Sequence, residues 1–333
     1  MTPGRSPHPD QQRSLVNRST EASIEVQPRL ASPRRNLGDA IFKYTTMAFA
    51  ITVLSLILLM GYEMYHDSRL SIAKFGWDFL TSTTWDPVKD IYGALPFIFG
   101  TLASSALGLI IALPLSIGIA IYLSELAPPS LEGPLSFLIE LLAGIPSIVY
   151  GLWGVFVLVP WIRTSFEPFF SRNLGFLPLF HGAPYGFGML AAGLILSIMV
   201  LPIVASISRD VLKSVPQTQR EASLGLGATK WQSIRLILKD AKSGIFGATL
   251  LGLGRAIGET MAVTMVIGNR PVISASLFDP GYTMASVLAN EFTEATSDMY
   301  ISSLIEIALL LFILTIIVNI LARMLVWSFT KSK

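Results

Sequence analysis

The sequence predicts an all-α polytopic membrane protein with six transmembrane helices. Three observations carry that expectation: apolar residues make up 52% of the 333 residues, charged residues only 14%, and uncharged apolar runs recur along the chain. Residues 44–62, 91–124, 141–162 and 183–208 contain no Asp, Glu, Lys or Arg, and about 20 residues of helix cross the hydrocarbon core of a bilayer. Two further stretches, 243–268 and 301–329, are long enough but carry Arg255, Glu259, Glu306 and Arg323. So many apolar runs leave too little polar sequence to cover them as buried helices of a soluble enzyme, and the mean hydropathy is +0.61.

Residues 1–38 are rich in Pro, Ser, Arg and Gln and poor in large apolar side chains. They cannot bury enough surface to offset ordering entropy, so a disordered cytoplasmic tail is expected there. The first apolar run starts too far into the chain, and is too long, for a cleaved signal peptide. It makes 39–66 the first transmembrane helix, 67–90 an extracytoplasmic loop and 91–329 a core of five further helices. The chain has no cysteine, which excludes disulfides and thiolate metal sites. His8, His66 and His181 are too scattered in sequence to suggest a metal site. The basic residues fall in blocks, not in a stripe interleaved with aromatics, so the expected partner is the lipid bilayer and not nucleic acid.

Those blocks choose an orientation. Lys and Arg gather before the first run and again between the fourth and fifth, where Arg209, Lys213, Arg220, Lys230, Arg235, Lys239 and Lys242 lie. Cytoplasmic segments carry such an excess, so both termini and the loop 209–242 are expected in the cytoplasm. The connection 125–134 departs from the pattern, with Glu125 and Glu132 but no Lys or Arg. A six-helix count places it inside all the same.

Within 209–242, Pro216 opens a short helix, Gly227 ends it where positive φ is easily reached, and a second helix follows from Lys230 to Lys239. The expected product is a rigid helical knob in the cytoplasm. Glu221, Ala222, Gly227 and Ile237 stand at the spacing of the Glu-Ala-Ala, Gly, Ile-x-Leu-Pro signature, and the loop resembles the coupling loop of ATP-binding-cassette importer permeases. Ser223 replaces an alanine, and Lys239-Asp240 replaces Leu-Pro, which leaves Asp240 to cap the next helix. The resemblance implies a type I importer permease fold and docking of this loop into an ATPase. No G-x-x-x-x-G-K-S/T loop occurs, so ATP and Mg are expected on that partner, with no cofactor bound by this chain.

Arg255 lies about 12 residues, roughly 18 Å, beyond the cytoplasmic end of the fifth helix, near mid-bilayer. A charge there costs at least about 2.5 to 3.5 kcal/mol on insertion scales and is expected to face protein or a wet cavity. Glu259 follows one helical turn later on the same face and is placed to pair with it. Two readings stay open: a pair that locks the bundle, or a guanidinium that receives an oxyanion in transit while Glu259 limits how tightly it is held. Neither catalytic residues nor metal ligands are expected; no G-x-S-x-G or H-E-x-x-H pattern occurs.

The strings at 90–95 (DIYGAL), 139–151 (IELLAGIPSIVYG), 251–269 (LGLGRAIGETMAVTMVIGN) and 288–294 (LANEFTE) sharpen the resemblance to the PstC-type permeases of bacterial phosphate importers. That resemblance implies a multi-pass inner-membrane subunit with a second homologous permease subunit, two ATPase subunits and an extracytoplasmic phosphate-binding protein as partners. It makes Arg255 and Glu259 the candidate transport residues. An importer of sulfate or molybdate, and an ion-coupled secondary transporter, are the alternatives. The segment 283–295 reads as a short amphipathic helix on the outer face.

Overall fold

The computed structural model describes residues 37–331, so the expected tail lies outside the described residues except for its last two. The chain divides into two compact units, Met1–Leu58 and Leu59–Lys333. What is described of the first is the opening of helix α1 (Leu37–Asp67), whose side chains from Ile41 to Leu58 are all exposed. A helix that is apolar all round and uncovered by protein suits a lipid environment.

The second unit is helical, with no strand among the described residues. Helices α2 (Arg69–Phe75) and α3 (Asp78–Thr81) lead into a turn at Asp90, whose φ is +51°, and then into α4 (Leu95–Leu126). Pro96 stands in the first turn of α4, where its missing N–H costs nothing. Next come α5 (Pro129–Ala143), α6 (Ser147–Leu174) and α7 (Met189–Lys213). The knob helix α8 (Gln217–Gly225) precedes α9 (Lys230–Ile257), and α10 (Met261–Val266), α11 (Met284–Glu291) and α12 (Asp298–Lys331) complete the chain.

Five of these helices, α1, α4, α6, α7 and α12, are long and apolar enough to cross a membrane. In α7, 67% of the apolar window is buried, against 33% or less in the other four, so α7 is the central post. It supplies Ala191, Ala192, Ile195, Leu196, Met199, Val200 and Val204 to the main core, where α6 and α10 add Ile162, Ala262 and Val266. Small residues let α4 approach it: a Cβ on Gly108 would lie 2.7 Å from Leu196 Cβ. The outward faces of α5, α6 and α12 carry exposed Leu, Ile, Phe and Trp, as a lipid-covered surface does.

Four expected boundaries are corrected. The third crossing, expected at 141–162, is interrupted at Gly144-Ile145-Pro146, because the residue before a proline disfavours the α conformation, and α6 then runs on to Leu174. The fourth starts at Met189 and not at 183, since Gly182 and Gly186 take φ of +138° and +76°. No boundary exists at Lys239: α9 is one helix of 28 residues, so Asp240 is no cap, and Thr229 caps it through a reciprocal pair with Gln232. The fifth crossing does not continue to 268, because α9 ends at Ile257 and a separate α10 follows. Pro114 and Pro202 lie inside the continuous helices α4 and α7.

Gly100 on α4 sits so close to the loop before α11 that a Cβ would lie 2.1 Å from the Tyr282 carbonyl oxygen. Gly100→Ala is expected to cost about 1–3 kcal/mol through overpacking. Gly118→Ala on the same helix meets open space and is expected to be neutral or to add up to about 1 kcal/mol of helix propensity. Thermal unfolding of the two purified variants in detergent checks the contrast.

Candidate functional site

Arg255 occupies the last turn of α9 and is exposed. The helix closes at Gly258, whose N–H donates to the Gly254 carbonyl at 3.3 Å. Glu259 stands outside the helix and is buried, 8% exposed, with Oε1 accepting from Ala262 N–H at 3.3 Å over the first turn of α10. The expected pairing of Arg255 with Glu259 is therefore corrected: among the described residues no ion pair joins them. An i, i+4 pair needs an unbroken helix between its members, and this one ends there.

This interruption lies against the one at Pro146. A Cβ on Gly151 of α6 would lie 2.5 Å from Met265 Sδ and 3.1 Å from Ala262 Cα. Beside Gly151, the Tyr150 hydroxyl donates to the Leu142 carbonyl at 2.8 Å, bridging from α6 back across the proline to α5. The Arg255 guanidinium is within electrostatic reach of that phenol. The strings 139–151 and 251–269, far apart in the chain, thus form one place. Non-helical backbone at membrane depth is tolerated where protein buries it or it lines a cavity, and broken helices are where transport folds build sites.

The knob is built as a rigid unit. Gly227, with φ of +86°, turns α8 back onto α9. Gln232 N–H donates to Thr229 Oγ1 at 3.3 Å, Thr229 N–H donates to Gln232 Oε1 at 2.8 Å, and Ser223 and Ser233 hydroxyls meet at 2.8 Å. Glu221, Ala222 and Gly227 are exposed, and Leu226 at the tip is 90% exposed. Ile237 is placed differently from these three: it is 1% exposed, packed with Ala120, Leu212, Val215, Ala241 and Ile245. It anchors the knob from beneath and offers no surface for docking.

Acidic side chains at the end of α4 and along α5 hold the base of the knob. Arg220 pairs with Glu125 at 2.8 Å and also donates to the carbonyls of Val215 and Leu212 at 2.6 and 2.8 Å. Lys213 pairs with Glu132, and Arg209, largely buried, pairs with Glu140 at 3.1 Å and Asp210 at 2.8 Å. The acidic connection that departs from the positive-inside pattern is thus the counter-charge of the basic loop at the same end.

At the other end, the strings 90–95 and 288–294 also meet. Glu291 Oε2 accepts from Trp85 Nε1 at 2.8 Å and from the Tyr300 hydroxyl at 2.6 Å, and the Tyr92 ring stacks on Tyr300 with centroids 5.6 Å apart. Burial, with Asp90 beside it, pushes the Tyr92 hydroxyl up to about 12. The expected helix over 283–295 exists as α11, but Met284, Ala285, Ser286 and Val287 are buried, so it plugs this end of the bundle instead of lying on its surface.

Sequence reasoning missed Tyr150, Glu125 and Arg220. The available signal for the last two was the acidic connection itself, since carboxylates with no Lys or Arg nearby in sequence need a basic neighbour from elsewhere in the chain. Glu125 and Arg220 side chains are only 10% and 15% exposed. Glu125→Gln is expected to cost about 3 kcal/mol, because it leaves a buried guanidinium without its carboxylate. A lowered unfolding temperature and faster hydrogen exchange over α8 are the readouts, with partial recovery in the Glu125→Arg, Arg220→Glu double variant.

Residues 112–330 match the family described as binding-protein-dependent transport system inner membrane component. The phosphate transport system permease protein PstC of Mesorhizobium japonicum is 47% identical over 86% of this chain and 89% of its own length. Its counterpart in Haemophilus influenzae is 45% identical over 89% of this chain and 95% of its own, and that of Pasteurella multocida 44% over 96% and 99%. Among solved structures, an inward-facing form of the MetNI methionine ABC transporter aligns with a TM-score of 0.53, covering 74% of this chain and 99% of that one. At 17% identity, that likeness speaks for the fold alone.

Proposed function

The chain belongs to the binding-protein-dependent transport system inner membrane components, and from that premise we propose that it carries inorganic phosphate across the bacterial cytoplasmic membrane as one membrane-spanning subunit of an ATP-driven importer. The observation that carries this reading is identity of 44% to 47%, over 86% to 96% of the chain, with permeases named for phosphate transport. Both termini lie in the cytoplasm with the knob. A second homologous permease, two ATPase subunits and an extracytoplasmic phosphate-binding protein complete the assembly.

Arg255 is the residue that meets the oxyanion, since its planar fork matches phosphate oxygens and, among the described residues, no carboxylate forms an ion pair with it. It is exposed on the isolated chain, which is compatible with a position facing the second permease across the pathway. Glu259 holds the shape of the break through Ala262 and adds a negative charge that keeps binding weak enough for release. Exposed Glu221, Ala222, Gly227 and Leu226 form the face that docks into an ATPase. ATP and Mg are bound there and the ATP is hydrolysed there, a division of labour that fits the lack of a G-x-x-x-x-G-K-S/T loop in this sequence.

The 28 residues of α9 span about 42 Å at a helical rise of 1.5 Å per residue. Its first turn belongs to the knob and its last turn holds Arg255. A displacement imposed by the ATPase on α8 passes through the Ser223–Ser233 and Thr229–Gln232 contacts to α9, which carries it to the pathway as one continuous rod. ATP binding and hydrolysis bias two arrangements of this rod, and no bond in the substrate changes.

Arg255→Ala is expected to reduce labelled-phosphate uptake at least about tenfold, the factor equivalent to 1.4 kcal/mol, in a complex that still contains its ATPase. Unchanged uptake would remove Arg255 from the pathway, and competition by sulfate and molybdate tests the choice of anion. Leu226→Arg at the knob tip is expected to abolish co-purification of the ATPase while the permease still reaches the membrane. Retained co-purification would move the docking face elsewhere.

A further inference from the structure

Away from the knob, a cavity of about 570 Å³ opens between α6, the loop before α7 and the chain after α10. Arg163, Tyr185, Phe187, Met265, Asn269 and Arg270 are among its walls, and no carboxylate lines it. Resting on the phosphate-importer reading above, we propose that this cavity is an outer receiving site for a tetrahedral oxyanion, with Arg163 and Arg270 as its two guanidinium ligands, occupied before the ion reaches Arg255.

The backbone that carries each arginine is fixed, and both side chains are exposed. The turn that carries Arg270 is formed by Gly268 and Asn269, with φ of +89° and +49°, and asparagine is among the residues that tolerate such a conformation. Asn269 Nδ2 donates to the Thr264 carbonyl at 2.9 Å, and Arg270 N–H to the Gly281 carbonyl at 3.1 Å, which fixes the turn on both sides. Arg163 rides on α6 against Gly186, where an added Cβ would lie 2.9 Å from Arg163 Cβ. Neighbouring carboxylates spend their hydrogen bonds elsewhere: Glu167, 1% exposed, accepts from Gly186 N–H at 3.0 and 3.2 Å while its charge still attracts Arg163, and Asp279 accepts from the Ser274 hydroxyl. Among the described residues no ion pair engages either guanidinium.

Two planar cations facing a concave space without a lining counter-charge raise the local concentration of an anion and match its oxygens in pairs. The cavity is also in line with the inner site. Met265 lines it and touches Gly151, while Glu259 caps the opposite end of the same helix α10, whose six residues measure about 9 Å. An ion released here is one short helix from the broken crossing.

The test uses the assembled transporter in nanodiscs of phosphatidylcholine, without binding protein, treated with phenylglyoxal and read by mass spectrometry. Inorganic phosphate, against chloride at equal ionic strength, is expected to slow modification of Arg163 and Arg270 but not of Arg172, which is exposed on the same helix. Equal rates with phosphate and chloride overturn the site, as does protection that requires an added anionic lipid. The Arg163→Gln, Arg270→Gln variant is expected to raise the phosphate concentration for half-maximal uptake about tenfold, the worth of one charge-assisted hydrogen bond, with the lysine pair keeping most of the wild-type behaviour. A wild-type complex that transports phosphate without protecting these arginines leaves the importer reading standing and sinks this one. A wild-type complex that transports no phosphate overturns both.

Discussion

Backbone that leaves the helical path inside a membrane must have its polar groups satisfied by protein, and the whole arrangement follows from where that demand is met. At the Pro146 interruption the Tyr150 hydroxyl serves the Leu142 carbonyl; at the Gly258 interruption the Glu259 carboxylate serves Ala262 N–H. Gly151 lets the two interruptions touch, because any side chain there would enter Met265 and Ala262. Each break makes the other affordable by covering it, and Arg255 is left at their edge with its charge uncommitted.

That geometry changes what Glu259 does. As an ion-pair partner one turn from Arg255, it would have neutralised the guanidinium and tied it to its own helix. As a cap on α10, it spends its hydrogen-bonding capacity on the backbone and leaves Arg255 to find an anion from outside the chain. The lock and the oxyanion reading were equally compatible with an unbroken helix. A break between the two residues favours the second, since a lock needs contact and the contact is missing.

Four of the five helices long and apolar enough to cross a membrane were legible because lipid forbids charge over long runs, and a count of uncharged residues detects that directly; α9, expected as the fifth of six crossings, is not among those five. Charge also misled the reading of boundaries. Lys239-Asp240 suggested an edge between knob and crossing, yet these residues continue α9, whose polar first half lies where water or a partner can reach it. Periodicity placed Glu259 one turn after Arg255 because nothing but Gly258 marks the end of the helix, and a lone glycine is compatible with a helix interior. Ile237 matched a motif by spacing, but spacing does not reveal burial. The acidic braces were invisible for a simpler reason: Glu125, Glu132 and Glu140 lie 95, 81 and 69 residues from their partners.

Those braces and the two arginine sites differ in one respect that orders their roles. At the knob, every basic side chain that holds the fold is paired: Arg209, Lys213 and Arg220 each face a glutamate, and the energy of those pairs goes into shape. At the outer cavity and at the broken crossing, the guanidiniums of Arg163, Arg270 and Arg255 have no such partner among the described residues. Glu167 and Glu259 stand near these cations and spend their hydrogen bonds on backbone N–H groups, Glu167 while its charge still attracts Arg163. On the proposed function, Arg163, Arg270 and Arg255 are the cations that meet an anion, while the glutamate-paired Arg209, Lys213 and Arg220 hold the shape of the knob.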